Sequence, residues 1–253
     1  MISLNIMKMK ILYEDANILA IDKPSGILAH SDKTESKETI LDWAQRKYPK
    51  AELAHRLDRE TSGVMLLAKN QKTHEFLKKQ FQNREVKKIY HAIVTGKIKK
   101  DREIINKPIG RSPSDFRRRL AGRGARGEMR EAITEYKVLK RFEAPVSKNF
   151  SSCALSGVPV GTLGDKNFQK LSPIKFTYLE ISPKTGRTHQ IRVHLKYINH
   201  PVVCDSLYNP NTPCLKGISR LALHAKSIEF KNLKGQTIKV ESPLPPEFKK
   251  VIK

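Results

Sequence analysis

The chain has 253 residues and is strongly basic: 49 Lys and Arg against 25 Asp and Glu leave a formal net charge of +24. This length suits one large domain or two small ones with a real hydrophobic core. The positive charge is spread along the whole chain and favours a polyanionic partner, nucleic acid first, although a generic basic protein such as a small ribosomal component would show the same balance.

The cysteines and the missing motifs exclude several classes of protein. Cys153, Cys204 and Cys214 are far apart and odd in number, which argues against a disulfide framework and for a reducing compartment. No Cys-x-x-Cys or His-Glu-x-x-His occurs, and His189 and His194 are poorly spaced for one helix face, so no metal is expected. Without a convincing signal peptide or an apolar run near the ~18 residues of a membrane span, we expect a soluble cytoplasmic protein.

Short elements of both kinds are predicted along the chain. Apolar runs bounded by turn residues predict strands at residues 10–13, 17–22, 64–68, 86–95, 132–139, 176–181, 221–230 and 236–241. Helices are predicted at about 38–48 before Pro49, after an Asn70 cap, after a Thr188 cap, and as a short basic C-terminal helix begun by Pro245-Pro246. Residues 144–173 lack periodicity and predict a surface insertion. Strands separated by single helices indicate an α+β fold around one mixed sheet.

The stretch HRLDRETSG, residues 55–63, joins a predicted helix to the apolar strand at 64–68. A polar loop next to a rigid buried strand is a usual place for catalysis. Asp58 lies between Arg56 and Arg59, which alone is more typical of a solvated turn with surface ion pairs. The whole stretch, however, closely resembles the active-site signature of the RluA family of pseudouridine synthases, in which this Asp is the catalytic carboxylate.

Four further stretches resemble the same family in the same order. They are KPSGILAH at 23–30, KKIYHA at 87–92, GRTHQIRVHL at 186–195 and RLALHA at 220–225. The resemblance implies that Tyr90 is the active-site Tyr, Arg187 the active-site Arg, and that the motif around Leu223 lines the base pocket. It also implies a single catalytic domain over 1–253 without an S4 domain, and a largely antiparallel mixed sheet flanked by helices and loops, with an RNA cleft across it. Cys204 departs from the family, where relatives tend to have Gly.

The chemistry implied by the resemblance needs one carboxylate and no cofactor. Asp58 would either attack C1′ of a uridine or remove a sugar proton to form a glycal, and both routes stay open. Glu60 is a weaker candidate for a second carboxylate of the kind glycosidases use. Arg187 is expected to hold Asp58 ionised and aimed. Tyr90 is expected to stack on the uracil and place its hydroxyl near C5.

Further residues are expected to contact the RNA. Arg56 would enter the base stack where the target leaves it, because chemistry on a paired base requires flipping. His55 and Thr61 belong to the same loop, and for His55 a structural role in shaping it is favoured. Residues 111–130 predict a flexible basic finger on the RNA backbone. Its candidate phosphate ligands are Arg117, Arg118, Arg119, Arg123 and Arg126.

These observations predict a monomeric enzyme that isomerises specific uridines to pseudouridine in structured rRNA or tRNA, without metal, cofactor or membrane. A non-catalytic RNA-binding or ribosome-assembly factor with the same fold is the alternative. A nuclease or nucleoside hydrolase is a more distant one.

Overall fold

The computed structural model describes residues 9–31, 38–122, 124–147 and 174–253. Within them the chain forms thirteen strands and four helices. The strands are β1 (Lys10–Glu14), β2 (Ile18–Lys23), β3 (Glu52–Leu53), β4 (Ser62–Ala68), β5 (Lys87–Thr95), β6 (Arg102–Asn106), β7 (Ile109–Arg111), β8 (Arg119–Ala121), β9 (Arg126–Arg130), β10 (Ile133–Ala144), β11 (Ile174–Pro183), β12 (Leu223–Lys231) and β13 (Thr237–Glu241). The helices are α1 (Ile40–Lys47), α2 (Gln71–Gln82), α3 (Gln190–Tyr197) and α4 (Pro246–Val251). None of these helices is long and apolar enough to cross a membrane.

Most strands belong to one large sheet in the order β1-β2-β4-β12-β5-β11-β10-β6, with β3 added to β4 and β13 to β12. Every pairing is antiparallel except that of β4 with β12, where Ser62 lies opposite His224 and Gly63 opposite Ala225. A Cβ at Gly63 would collide with the backbone of Ala225, so only glycine allows this approach. The predicted α+β fold with a largely antiparallel mixed sheet is confirmed.

Strand β4 is buried along its whole length, as its continuous apolar run predicts. Met65 and Leu67 pack on one face with Ile40 and Ala44 of α1. Val64 and Leu66 pack on the other face with Leu77 of α2. Burying each such side chain contributes about 1.5–3 kcal/mol, so the strand that follows the Asp58 loop is a rigid support for it.

Both helices that cover β4 begin at side-chain caps. The Thr39 hydroxyl accepts a hydrogen bond from the Asp42 amide, and the Asp42 carboxylate accepts one from the Thr39 amide. Asn70 caps α2 by accepting from the Thr73 amide at 3.0 Å, which confirms the predicted cap. Such a cap typically contributes about 1 kcal/mol.

Three expectations are corrected or fall outside the described chain. The basic finger is not a flexible loop, because β8, β7 and β9 form a separate three-stranded antiparallel sheet there. Cys204 and Cys214 form a disulfide although an odd cysteine count argued against one; the chain turns back between them so that their Cα atoms are 5.1 Å apart. Cys204 has a left-handed φ of 55°, which explains why glycine suits this position. Most of the predicted insertion, residues 148–173, and Arg123 lie outside the described residues.

Candidate active site

A cleft of about 1440 Å³ runs along one face of the large sheet. Residues from all five motifs line it: the loop after β2, the Asp58 loop, strand β5, the loop before α3, and Leu223 at the start of β12. The lining is strongly cationic, because eight Lys and Arg side chains face two carboxylates. The cations are Arg56, Arg59, Lys78, Arg84, Lys88, Lys184, Arg187 and Arg192, and the carboxylates are Glu52 and Asp58.

The backbone around Asp58 is clamped by the KPSG turn that follows β2. Lys23 Nζ donates to the Arg59 carbonyl at 3.0 Å, and the Gly26 amide donates to the same oxygen at 2.8 Å. Ser25 Oγ donates to the Glu60 carbonyl at 2.6 Å. Burial lowers the pKa of Lys23 to about 7, against the opposing effect of the Asp58 carboxylate. The turn therefore determines how the Asp58 loop lies on the sheet.

Arg192 is the guanidinium partner of Asp58. Its Nη1 lies 3.4 Å from Asp58 Oδ2, and its Nη2 lies 3.3 Å from Glu60 Oε2. Asp205 holds the same guanidinium from behind, accepting from Nε and Nη2 at 2.7 Å each. Burial disfavours the charged form, but the hydrogen bonds to Asp205 outweigh it and raise the pKa of Arg192. A permanent cation thus adjoins the Asp58 carboxylate.

The expectation that Arg187 grips Asp58 is wrong for this structure. Arg187 lines the cleft, but its Nε donates to the Glu131 carbonyl at 2.9 Å and its side chain reaches toward the base of the finger. The reason is the position of α3, which begins only at Gln190. Arg187 therefore precedes the helix, whereas Arg192 lies in its buried first turns. The sequence did contain a signal for Arg192. An Arg among the apolar residues of a predicted helix is expected to be buried, and a buried Arg needs acidic partners.

Tyr90 lies on β5 between two of the core clusters and faces the cleft. Burial, and then the nearby Asp58 carboxylate, raises the pKa of Tyr90, so its phenol is protonated at neutral pH. Leu223 starts the neighbouring strand β12 and lines the same cleft. Lys88, two residues before Tyr90 on the same face, was missed; burial lowers its pKa to about 8.

The other predicted loop residues have separate roles in the structure. His55 Nε2 accepts from the Leu66 amide at 3.1 Å, its ring lies 4.9 Å from that of Phe81, and burial lowers the pKa of His55 to about 3. It is thus a neutral residue tying the loop to β4. Thr61 is buried in the cleft wall, and its amide donates to the Asp58 carbonyl at 3.1 Å. Arg56 is exposed at the cleft mouth and pairs with His30.

The loop before α3 is organised by Gln190 and not by Thr188, whose predicted capping role is wrong. Gln190 Oε1 accepts from the Arg187 amide at 3.0 Å and from Thr185 Oγ1 at 2.7 Å, and its Nε2 donates to the Ile133 carbonyl at 3.0 Å. His189 occupies the N-cap position with a left-handed φ of 57° and no capping side-chain bond.

Tyr208 connects this loop to the basic finger. Its hydroxyl contacts His189 Nδ1 at 3.0 Å and accepts from the Arg119 amide at 2.9 Å. His189 Nε2 in turn lies 4.0 Å from Asp58 Oδ1. In the finger, Arg117 and Arg118 both pair with Asp115, and Arg126 is exposed on β9. Within the described residues, no three His, Cys, Asp or Glu side chains are grouped as a metal site would require.

Residues 17–197 match the family described as RNA pseudouridylate synthase. The chain belongs to that family. The match includes Asp58, Tyr90 and Arg192, and it confirms the family resemblance seen in the four motifs that lie within residues 17–197.

Two bacterial members of the family are similar over nearly the whole chain. Ribosomal large subunit pseudouridine synthase D of Neisseria meningitidis is 32% identical, over 96% of this chain and 60% of that protein. Synthase C of Pasteurella multocida is 31% identical, over 97% of this chain and 68% of that protein. The chain thus spans about 60% of the length of the first of these relatives. The solved structure of human RNA Pseudouridylate Synthase Domain Containing 4 has a TM-score of 0.66 at 25% identity, covering 94% of this chain and 90% of that one.

Proposed function

We propose that this protein converts uridine to pseudouridine within structured RNA, with Asp58 as its single catalytic carboxylate. The observation that carries the proposal is Asp58 itself, set in a cationic cleft and paired with a buried, permanently charged Arg192. The relatives are named as large-subunit ribosomal enzymes, which favours rRNA over tRNA as the substrate class.

Arg192 prepares Asp58 for the first step. The Arg192 guanidinium orients the Asp58 carboxylate and attracts its negative charge, and bonds to Asp205 prevent the guanidinium from turning away. The ionised Asp58 either attacks C1′ or takes a sugar proton, and in both routes the N1–C1′ bond breaks. The uracil turns and C5 bonds to C1′, as the Asp58–C1′ bond breaks in the first route or as the sugar proton returns in the second. C5 then loses its proton and N1 gains one, so that the product is an isomer of the substrate.

Tyr90 holds the base while it is detached. Tyr90 and the Asp58 loop line the same cleft, so a uracil whose C1′ lies within reach of Asp58 would lie against the Tyr90 ring. Since its pKa is raised, Tyr90 is a hydrogen-bond donor and not an anionic base. We assign it to stacking on the uracil and to donating a hydrogen bond to the detached base, while the C5 proton passes to solvent. Leu223 on the adjacent strand closes the apolar side of this pocket.

The cationic rim binds the rest of the RNA. A target inside a helix must flip out, and Arg56 at the cleft mouth is placed to fill the space it leaves. Arg187 and the finger arginines Arg117, Arg118 and Arg126 are assigned to phosphates, which supply most of the affinity without reading sequence.

The surroundings of Glu60 support a one-carboxylate reaction. Its oxygens contact Arg192 Nη2 at 3.3 Å and Ser206 Oγ at 3.0 Å. A glycosidase acid must be protonated and face the glycosidic bond. The Glu60 carboxylate contacts the Arg192 guanidinium and the Ser206 hydroxyl, so it is better placed to orient Arg192 than to protonate a substrate.

Release of tritium from RNA labelled at C5 of uridine tests the proposal. The wild-type protein should release tritium from rRNA, and Asp58→Asn should release none while binding the same RNA with similar affinity. Asp101→Asn, at an exposed carboxylate, is the matched control and should behave as wild type. RNA binding without tritium release would favour the assembly-factor alternative, and free uracil would indicate a hydrolase. Mapping pseudouridines in cells with and without the protein would identify the target.

A further inference from the structure

Phe116 is 86% exposed, far more than any other large apolar side chain in the described residues. It lies within residues 112–118, the turn that joins β7 to β8 in the basic finger. Single exposed apolar residues are common and need no explanation by themselves. The structure of the turn around Phe116, and the arginines beside it in the sequence, indicate that this exposure serves binding.

The turn is closed by its own hydrogen bonds. The Ser112 amide donates to the Arg118 carbonyl at 3.2 Å, and Ser112 Oγ accepts from the Asp115 amide at 3.3 Å. Asp115 accepts from the Arg117 amide at 3.0 Å, and its carbonyl accepts from the Arg118 amide at 2.9 Å. The backbone on both sides of Phe116 is therefore ordered before any partner binds, which reduces the entropy lost on binding.

The base of this turn is connected to the catalytic loop. The Arg119 amide donates to Tyr208 Oη, the same oxygen contacts His189, and His189 lies 4.0 Å from Asp58. Phe116 is three residues from Arg119, a distance of at most about 10 Å along an extended chain. The turn therefore lies on the side of the Asp58 loop to which RNA flanking a nucleotide held at Asp58 can extend.

We propose that Phe116 stacks on an unpaired RNA base beside the target uridine, while Arg117 and Arg118 contact the adjoining phosphates. This inference rests on the proposed function in that RNA is the substrate. Aromatic faces flanked by cations are how proteins hold single-stranded nucleic acid. A protein partner fits less well, because the core of a protein interface is depleted of charge and Phe116 is followed directly in the sequence by Arg117, Arg118 and Arg119.

Three substitutions separate stacking from mere hydrophobicity: Phe116→Ala, Phe116→Leu and Phe116→Trp. Affinity would be measured by fluorescence anisotropy with a labelled oligouridine and with the rRNA substrate. Stacking on one base predicts that the Ala and Leu variants bind between about fivefold and about a hundredfold more weakly. The Trp variant should bind at least as well as wild type. Because Phe116 is exposed, all three should unfold at the wild-type urea concentration.

Salt dependence supplies the second readout. Stacking releases no counterions, so the slope of log affinity against log salt should be unchanged in the Phe116 variants. Arg117→Ala and Arg118→Ala, the matched controls, should each reduce that slope by about 0.7. On a sugar–phosphate strand without bases, wild type and Phe116→Ala should bind equally.

Equal binding by wild type and the Leu variant would overturn the proposal, as would a difference that persists on the strand without bases. Tritium release by the wild-type protein is measured separately. If the wild-type protein releases no tritium but the Ala and Leu variants still bind RNA more weakly than the Trp variant, the proposed isomerisation is wrong and the stacking stands. If isomerisation holds and Phe116→Ala binds normally, only the stacking is wrong.

Discussion

Asp205 accepts two hydrogen bonds of 2.7 Å from Arg192, and the side chains of both residues are almost wholly enclosed by protein. The amides of Leu207 and Tyr208 also donate to Asp205, at 3.0 and 2.9 Å. A bidentate contact fixes the plane of a guanidinium. Asp205 thus determines where Arg192 Nη1 points, although Asp205 itself does not line the cleft.

Asp205→Asn should lower both stability and turnover. Removing one partner of a buried charge pair typically costs about 3–5 kcal/mol, because the other charge stays buried. Urea denaturation should show this loss, and kcat on saturating RNA should fall more than KM rises, since the RNA-binding cations are untouched. Asp101→Asn serves again as the exposed control. Wild-type kcat in a folded Asp205→Asn protein would show that Arg192 needs no support.

Arg192→Met and Arg187→Met should behave differently. Without Arg192, Asp58 loses its cation, and a loss of about 3–5 kcal/mol in transition-state stabilisation corresponds to between about 10² and about 5 × 10³-fold in rate. Arg187→Met should mainly weaken RNA binding, because Arg187 contacts the finger base and not Asp58. Single-turnover rates at saturating enzyme would separate the two effects. The reverse pattern would return the catalytic role to Arg187.

Replacing Arg117, Arg118 and Arg119 together by Ala should reduce the salt dependence of RNA binding. Each lost phosphate contact lowers the slope of log affinity against log salt by about 0.7 for a single strand, so three contacts give roughly two. Arg119 also donates to the Phe116 and Arg118 carbonyls at 3.0 Å, so its share is partly structural. An unchanged slope with a collapsed single-turnover rate would make the finger a catalytic lid.

Buried neutral histidines should make the protein sensitive to acid. Burial lowers the pKa of His224 to about 3 and that of His55 to about 3, from an ordinary value near 6.5. The unfolded chain therefore binds more protons below pH ~6.5, and the free energy of unfolding falls as the pH drops from there toward 3. Each histidine contributes up to about 1.4 kcal/mol per pH unit. Urea midpoints at pH 7 and pH 5 should differ less in His224→Asn than in wild type, with His30→Asn as control; an equal difference would contradict this origin.

Local patterns were enough to predict much of the frame. The apolar run of β4, the Asn70 cap and the strand β5 each depend on near neighbours in the sequence, and all three are confirmed. Asp58 was found because its loop matches a family signature. Arg192 was overlooked because the choice between two arginines of one motif depends on where α3 starts, which Gln190 decides through contacts with β10. The Cys204–Cys214 disulfide was missed for the same reason, since chain reversal between them is a tertiary event.

The parallel pairing of β4 with β12 has a consequence for folding during translation. Strand β4 directly follows the Asp58 loop, but its neighbour β12 is synthesised some 160 residues later. Arg192 is synthesised some 134 residues after Asp58. Contacts so distant in sequence form slowly, because a long loop must close before they stabilise anything. The Asp58–Arg192 pair and the pairing of β4 with β12 can therefore form only after α3 and β12 have emerged from the ribosome.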